Sequence, residues 1–419
     1  MCSFAKKNGG WRYCTDFRRL NKATVKQNYP LPNIHDGVRR LKNPKVFSTL
    51  DLTKGYHQIA ILESQRHLFA FNDGTRQLEY VKVPMGAKNS SASMQQLMEM
   101  VMRGLPLESM MVYLDDILLA TEDLETHLQL LEKIFEALAR ANLKINPAKC
   151  FFANSSVSAL GFQLDENGIR PDEHNLKKVR EWPQPQDITG VRSFVGLANY
   201  YRCHIAGFAK RAEPLTDMLK KNSDFEWTEA CEKSFQDVKT ELLEGSATSY
   251  PDFEKRFFVK PDASKTCVGA VLTQKDERGK ESMIAAASQK SSPAESAWAP
   301  YDRKMFAIVW AICSFAHYLR FRPFTVYTDH RPLLSCIGVD PKKDASGKRT
   351  RWALELQTYK FEIKHKLGKQ HGDADALSRA EHADEPSSDP RDDDDLVILG
   401  AMVQGEVYVA KLTANNAHR

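Results

Sequence analysis

Two aspartates set side by side between two apolar runs constrain this sequence more than any other feature. In SMMVYLDDILLAT (109–121), Asp115 and Asp116 interrupt a stretch that is otherwise almost entirely apolar. Two short apolar runs split by polar residues read as a β-hairpin, here with the acids at its tip. Adjacent carboxylates repel each other, and ionised carboxylates resist burial between strands. A bound divalent cation resolves that conflict. An isolated Asp-Asp pair is more often a solvated turn. A third acid, Asp51, ends the apolar run of KVFSTLDLTKGYHQIAI (45–61), which reads as a strand, a turn-like TKG and further structure. Nucleotidyl transfer uses two hard cations held by carboxylates, one at the attacking and one at the leaving oxygen. Mg²⁺ favours a few carboxylates plus substrate phosphates.

The 419 residues suggest two to four domains, each with its own core. A net charge of +5 permits a nucleic-acid partner without demanding one. The eight cysteines form no C-x-x-C pair and show no zinc spacing, so they read as reduced thiols. No signal peptide is evident and no stretch is apolar enough to span a membrane. The chain starts abruptly, in what reads as the middle of a folded unit. Leu128, Leu131, Ile134, Phe135 and Leu138 recur at helical spacing, so 123–141 is expected to be an amphipathic helix that ends before Asn146-Pro147. ALGFQLDENGIRPD (159–172) reads as a hairpin turning at Glu166-Asn167-Gly168. Residues 173–245 are expected to be helical, interrupted by WPQPQ (182–186). From about 250 the texture changes. Two strands are expected in 257–274, an apolar helix at 302–319, strands at 324–330 and 361–368, and a helix from 374. That β-β-α-β order suggests an α/β domain with a mixed sheet. Residues 384–395 are acidic and read as disordered, and 396–412 as the start of a further unit.

Several segments carry a family likeness. WRYCTDFRRLNKATVKQNYPLP (11–32), FSTLDLTKGYHQI (47–59), YLDDIL (113–118), INPAKCFF (145–152), LGFQLDENGI (160–169), RSFVGLANYYR (192–202) and FEWTEACEKSFQDVK (225–239) occur in order. Together they resemble the reverse transcriptase of gypsy-type (Metaviridae-like) LTR retrotransposons, over about residues 6–379. The resemblance implies that Asp51, Asp115 and Asp116 hold two metal ions. It implies that Arg12 contacts the incoming triphosphate, since a guanidinium fork suits phosphate oxygens. Lys6 and Lys7 would add phosphate contacts. Tyr56 would be the aromatic gate that rejects a ribose 2′-OH, the group that distinguishes RNA from DNA, although core packing is the alternative. Gly161 and Phe162 would belong to the hairpin that positions the primer end. The sequence departs from the family at Pro84-Met85-Gly86-Ala87, for P-F-G-L, and at residues 89–95, for N-A-P-x-x-F-Q. Met85 would line the nucleotide pocket in place of an aromatic, and Gln95, which is retained, would also contact substrate. These changes are expected to loosen the pocket floor.

PDASKTCVGAVLTQ, YTDHRPL and GDADALSR resemble the RNase H domain of the same elements, which cleaves RNA in an RNA–DNA hybrid with two metal ions and four carboxylates. Asp262, Asp329 and Asp375 take three of the four places. The fourth, a glutamate in the family, is Lys304, and an ammonium cannot ligate Mg²⁺. Asp302 lies roughly 200° around the helix from it and is expected to face elsewhere. Ala286, Cys267 and Ser291 also replace family residues. His365 would assist product release or be a surface histidine.

The expected architecture is therefore a multidomain α+β and α/β chain. A right-hand polymerase with fingers and palm would span 1–165 and a helical thumb and connector 166–248. An RNase H-like mixed-sheet domain would span 249–380, then an acidic linker and a further unit 381–419. The expected activity is RNA-directed DNA polymerisation, DNA-templated as well, with impaired hybrid cleavage. Mg²⁺ would serve, two ions per site, with Mn²⁺ as a substitute. Expected partners are an RNA template, a DNA primer, their hybrid, dNTPs and other Gag and Pol parts. A dimer is compatible with this, a membrane partner is not, and the compartment would be a cytoplasmic virus-like particle or the nucleus. The competing readings are an inactive relic or domesticated nucleic-acid-binding fragment, and an RNA-dependent RNA polymerase. Tyr56 and the RNase H-like segment argue against the last.

Overall fold

The computed structural model describes residues 2–5, 11–72, 74–205, 207–220, 225–245, 247–335 and 347–366. Asp375, Lys6, Lys7, the helix expected from 374 and everything assigned to 381–419 lie outside these residues. The chain divides into two compact units, Met1–Gly168 and Ile169–Arg419.

The first unit is built on a four-stranded antiparallel sheet. Its strands are β1 (Val46–Asp51), β2 (Met110–Tyr113), β3 (Asp116–Thr121) and β4 (Phe151–Asn154), in the order β2-β3-β1-β4. Two helices, α1 (Ser90–Val101) and α2 (Leu124–Arg140), pack against it. Leu50, Ile117 and Leu119 from the sheet meet Met94 and Met98 from α1, and Leu131, Ile134 and Leu138 from α2, all buried. Each such side chain contributes roughly 1.5–3 kcal/mol by leaving water. The spacing of 94 to 98, and of 131, 134 and 138, is what one helix face requires. Asp123 caps α2 by accepting the Thr126 N–H at 2.8 Å. Leu128 and Phe135, expected on the core side of α2, are exposed instead. The buried stripe is narrower than the apolar periodicity implied.

The second unit contains a run of helices, among them α3 (Glu173–Arg180), α4 (Ile188–Tyr200) and α5 (Glu229–Glu244). Phe194 of α4 packs on Phe235 of α5 with ring centroids 4.6 Å apart. A five-stranded mixed sheet follows, made of β5 (Phe257–Ala263), β6 (Cys267–Lys275), β7 (Glu281–Lys290), β8 (Phe324–Thr328) and β9 (Phe361–His365). The order is β7-β6-β5-β8-β9, with β8 parallel to both β5 and β9. Strand β7 is an addition to the expected order. Its sequence, ESMIAAASQK, is rich in Ala and Ser, which signal a strand weakly. The helix expected at 302–319 is two helices, α6 (Pro300–Ser314) and a short Ala316–Leu319 turn, broken at Phe315. Helix α6 lies against β5 and buries Met305, Ile308, Val309 and Ile312 in the core of this unit. No helix among the described residues is long and apolar enough to cross a membrane.

Candidate active sites

The first site is set by strand register. β1 and β3 pair so that Asp51 lies opposite Asp116, and Tyr113 of β2 also lies opposite Asp116. Leu114 and Asp115 are left as a two-residue turn. Leu114 has a φ of +56° while Asp115 does not have a positive φ, the pattern of a type II′ turn. That turn prefers glycine at its first central position, so a leucine there costs on the order of 1–3 kcal/mol. Gln95 holds it in place. Its Oε1 accepts the Leu114 N–H at 2.8 Å, and its Nε2 donates to the Val112 carbonyl at 3.3 Å and to Glu99 Oε1 at 2.9 Å. Glu99 in turn accepts a hydrogen bond from the Tyr29 hydroxyl. Gln95 is buried, and its amide is spent on the hairpin. Gly55 completes the support, since a Cβ there would lie 2.7 Å from the Asp115 Cβ.

The electrostatics fit a cation. Partial desolvation, then the charges of Asp115 and Asp51, push Asp116 up to about 6, although one side of Asp116 stays open to solvent. Hard carboxylate oxygens that repel one another suit a divalent ion. Among the described residues no three His, Cys, Asp or Glu side chains already form a metal cage. A further charge at the site is Lys149, which the motifs do not single out. Its Nζ donates to Asp51 Oδ2 at 2.8 Å, and that bond raises the ammonium above the ordinary lysine range. Nothing local in INPAKCFF announces this contact, because Lys149 and Asp51 are 98 residues apart.

The remaining candidates around this site divide. Tyr56 lies just past the Lys54 turn, and its hydroxyl is 3.2 Å from Ser91 Oγ. Ser91 stands where the family has proline. Ser90 is buried and donates to the Pro84 carbonyl at 2.9 Å, and Met94 fills the phenylalanine's place with no exposure. The substitutions expected to loosen the pocket floor thus make bonds and contacts of their own. Met85 is 53% exposed. Gly161 has a φ of +83°, which lets the chain turn into a strand at Phe162. Phe162 itself is buried, with the His35 ring 5.2 Å away. Arg12 lies on a short N-terminal strand, Trp11–Cys14, opposite Phe4.

Behind the same sheet, His127 is fully buried between Ser48 and Thr121. Thr121 gives its hydroxyl proton to the Asp123 carbonyl, so it accepts from His127 Nδ1 at 2.8 Å. With Nδ1 carrying the proton, the Nε2 of a neutral ring accepts the Ser48 hydroxyl at 2.7 Å, and Ser48 accepts the Ala153 N–H. The network assigns a neutral, Nδ1-protonated ring. Burial holds its pKa below the ordinary histidine value.

The second site sits at the ends of two parallel strands. β5 and β8 pair with Phe257 opposite Phe324, and five residues on from each stand Asp262 and Asp329. Lys304, on the first turns of α6, reaches both. Its Nζ is 2.7 Å from Asp262 Oδ1 and 2.9 and 2.8 Å from Asp329 Oδ1 and Oδ2. Burial works against the ammonium, but the Asp262 and Asp329 carboxylates outweigh it and raise its pKa. Asp302 faces another way, held by Lys348 Nζ at 2.8 Å and Arg349 Nε at 2.9 Å. His365 Nε2 lies 3.1 Å from the Asp329 carbonyl, close behind the site. A divalent cation does not fit here while Lys304 holds both carboxylates.

A hairpin of paired acids in a sheet backed by helices, followed by a mixed sheet with its own acids, defines a polymerase joined to a nuclease-like unit. Residues 4–164 match the family model for reverse transcriptase (RNA-dependent DNA polymerase), and residues 252–359 match that for the RNase H-like domain found in reverse transcriptase. The chain belongs to the reverse transcriptase and RNase H segment of LTR-retrotransposon Pol polyproteins. Over 370 residues it is 36% identical to the retrovirus-related Pol polyprotein from transposon 412 of Drosophila melanogaster, covering 88% of this chain and 30% of that one. Over 392 residues it is 32% identical to the transposon Tf2-3 polyprotein of Schizosaccharomyces pombe, covering 93% and 29%. The chain spans about a third of the length of the curated relatives it matches. In fold it resembles the foamy viral protease-reverse transcriptase in complex with dsDNA. The TM-score is 0.74 at 22% identity, covering 87% of this chain and 77% of that one. The same foamy viral protein in complex with RNA/DNA hybrid gives 0.73 at 21%, covering 93% and 52%. Domains of both kinds generally depend on divalent metal.

Proposed function

We propose that this chain is an RNA-directed DNA polymerase of a gypsy-type element, extending a DNA primer on RNA and then DNA templates with dNTPs. The observation that carries this is the register that sets Asp51 opposite Asp116, with Asp115 at the turn beside them. Asp51, Asp115 and Asp116 would hold two divalent cations, Mg²⁺ or Mn²⁺. When bound, these cations activate the primer 3′-hydroxyl and neutralise charge on the leaving pyrophosphate. The chain's own groups do the rest. Gln95 and Gly55 fix the turn that carries Asp115, Arg12 would contact the triphosphate, and Tyr56 would screen the sugar. Met85 borders the nucleotide, and Gly161 and Phe162 shape the hairpin beneath the primer end. Lys149 neutralises Asp51, so a cation competes with its ammonium for that carboxylate.

On this reading fingers and palm would occupy 1–165, thumb and connector 166–248, and the RNase H-like domain would begin at 249. In the RNase H-like domain, hybrid cleavage is impaired because Lys304 replaces the fourth carboxylate of the set that Asp262, Asp329 and Asp375 would complete. Template and primer are held largely through their phosphates, so binding weakens with salt. The setting is a cytoplasmic virus-like particle with other Gag and Pol parts.

Primer extension on poly(rA)–oligo(dT) with Mg²⁺ or Mn²⁺ and labelled dTTP tests the main reading. Extension that Asp115→Asn abolishes is the expected result. No extension with hybrid binding intact favours the second reading, a relic or binding module, which the substitution at 304 supports.

A further inference from the structure

The RNase H-like site holds more than a lost ligand. An ammonium has three N–H donors, and Lys304 directs them at three carboxylate oxygens, one of Asp262 and two of Asp329, at 2.7–2.9 Å. The lysine side chain is only 21% exposed and that of Asp262 12%. Two carboxylates brought together by parallel strand register need a positive partner to be stable at such burial. The partner here is covalently part of the chain. The acid nearest in sequence does not offer an alternative. Asp302 is tied to Lys348 and Arg349, and Lys348 lies over the Trp298 ring at 4.3 Å and the Trp352 ring at 5.3 Å. Rotating Asp302 into the site would break both of these ion pairs.

We propose that Lys304 is a built-in counter-ion that takes over the structural work of a metal between Asp262 and Asp329, leaving this unit's fold independent of divalent cations. The inference deepens the reading of impaired hybrid cleavage and rests on it. It adds that the ammonium does not merely obstruct a cation but replaces it. Wild-type protein is then stable at this site without metal. Lys304→Glu should place a third acid beside the two aspartates and make local stability depend on added cation.

The test uses the full chain and two local readouts. Ferrous iron with ascorbate and peroxide cuts backbone near wherever the iron binds. Wild type should be cut around Asp51, Asp115 and Asp116 and not around Asp262 or Asp329, while Lys304→Glu gains cuts at the latter pair. Lys304→Met, which removes the charge without adding one, should gain them too and serves if the glutamate variant does not fold. In hydrogen exchange, peptides covering 257–263 and 324–328 should exchange alike in wild type with Mg²⁺ or EDTA. In Lys304→Glu they should exchange at least tenfold faster in EDTA and recover with Mg²⁺. Iron cuts at Asp262 or Asp329 in wild type, or Mg²⁺-dependent protection there, would overturn the proposal. So would the absence of new cuts in both variants. Cleavage of a labelled hybrid is measured in parallel. Cleavage by wild type without iron cuts at Asp262 defeats the impaired reading and leaves metal exclusion standing. Iron cuts without cleavage do the reverse.

Discussion

Two carboxylate sites in one chain each carry a lysine, and the lysines differ in what surrounds them. Lys149 touches one aspartate, Asp51, and its side chain is 62% exposed. Lys304 touches two aspartates and is largely buried. An exposed pair is screened by water and is worth about 0–1 kcal/mol, so a cation can displace it. A buried ammonium bonded to two carboxylates leaves uncompensated charge behind if it departs. The same chemical pair is therefore an exchangeable contact in one unit and a fixed one in the other. The sites differ in the environment of a lysine as much as in their acids.

The largest expected effect tests the exchangeable site. Asp115→Asn should lower primer extension by about 10³-fold or more while leaving template–primer affinity within a few-fold, measured by extension and by filter binding. Substantial residual extension would mean that the turn carboxylate is not part of the machinery. Next comes stability. In EDTA, Lys304→Met should cost about 3 kcal/mol by urea denaturation, whereas Lys149→Met should cost less than about 0.5 kcal/mol. Equal costs would erase the distinction between the two lysines.

A smaller effect concerns the turn. Gln95→Ala should reduce kcat for extension by about 10–100-fold with little change in KM for dTTP, because its bonds to Val112 and Leu114 hold the strained turn. A KM effect alone would instead make Gln95 a substrate contact. The smallest effect is the pH response of the sheet behind the turn. His127 has a lowered pKa, so the neutral ring is the form the fold prefers. Its contribution is present above the ordinary value of 6.5 and is lost as pH falls through the lower, folded value. The Tm of wild type should drop below pH 6.5 by a few degrees more than that of His127→Gln. Parallel curves would show that the ring does not titrate with unfolding.

Much of the first unit was legible in the sequence because its signals are local. The hairpin at 109–121 follows from two apolar runs, and the helix at 123–141 from periodicity. The narrower buried face of α2 was not legible, since Leu128 and Phe135 obey the same period as their buried neighbours. Strand β7 was missed for a different reason. Its alanines and serines carry little strand preference, and pairing with β6 supplies what local preference lacks. The acids at 262 and 329 were found by motif, and so was the oddity at 304. Gln95 was found as a retained residue, but its partner on the hairpin was not.

The sequence by itself determined which residues could do chemistry: the order of the acids, the lysine among them, and the strands and helices that carry them. These are properties of short stretches, in which the period of the side chains and the turn residues act within a few positions. Only the tertiary structure decided what each group faces. Lys304 meets acids 42 and 25 residues away because two parallel strands end in register beneath its helix. Lys149 meets Asp51 because β4 returns beside β1. Burial and pairing across a sheet are sums over distant segments, and they set whether a charge is exchangeable or fixed.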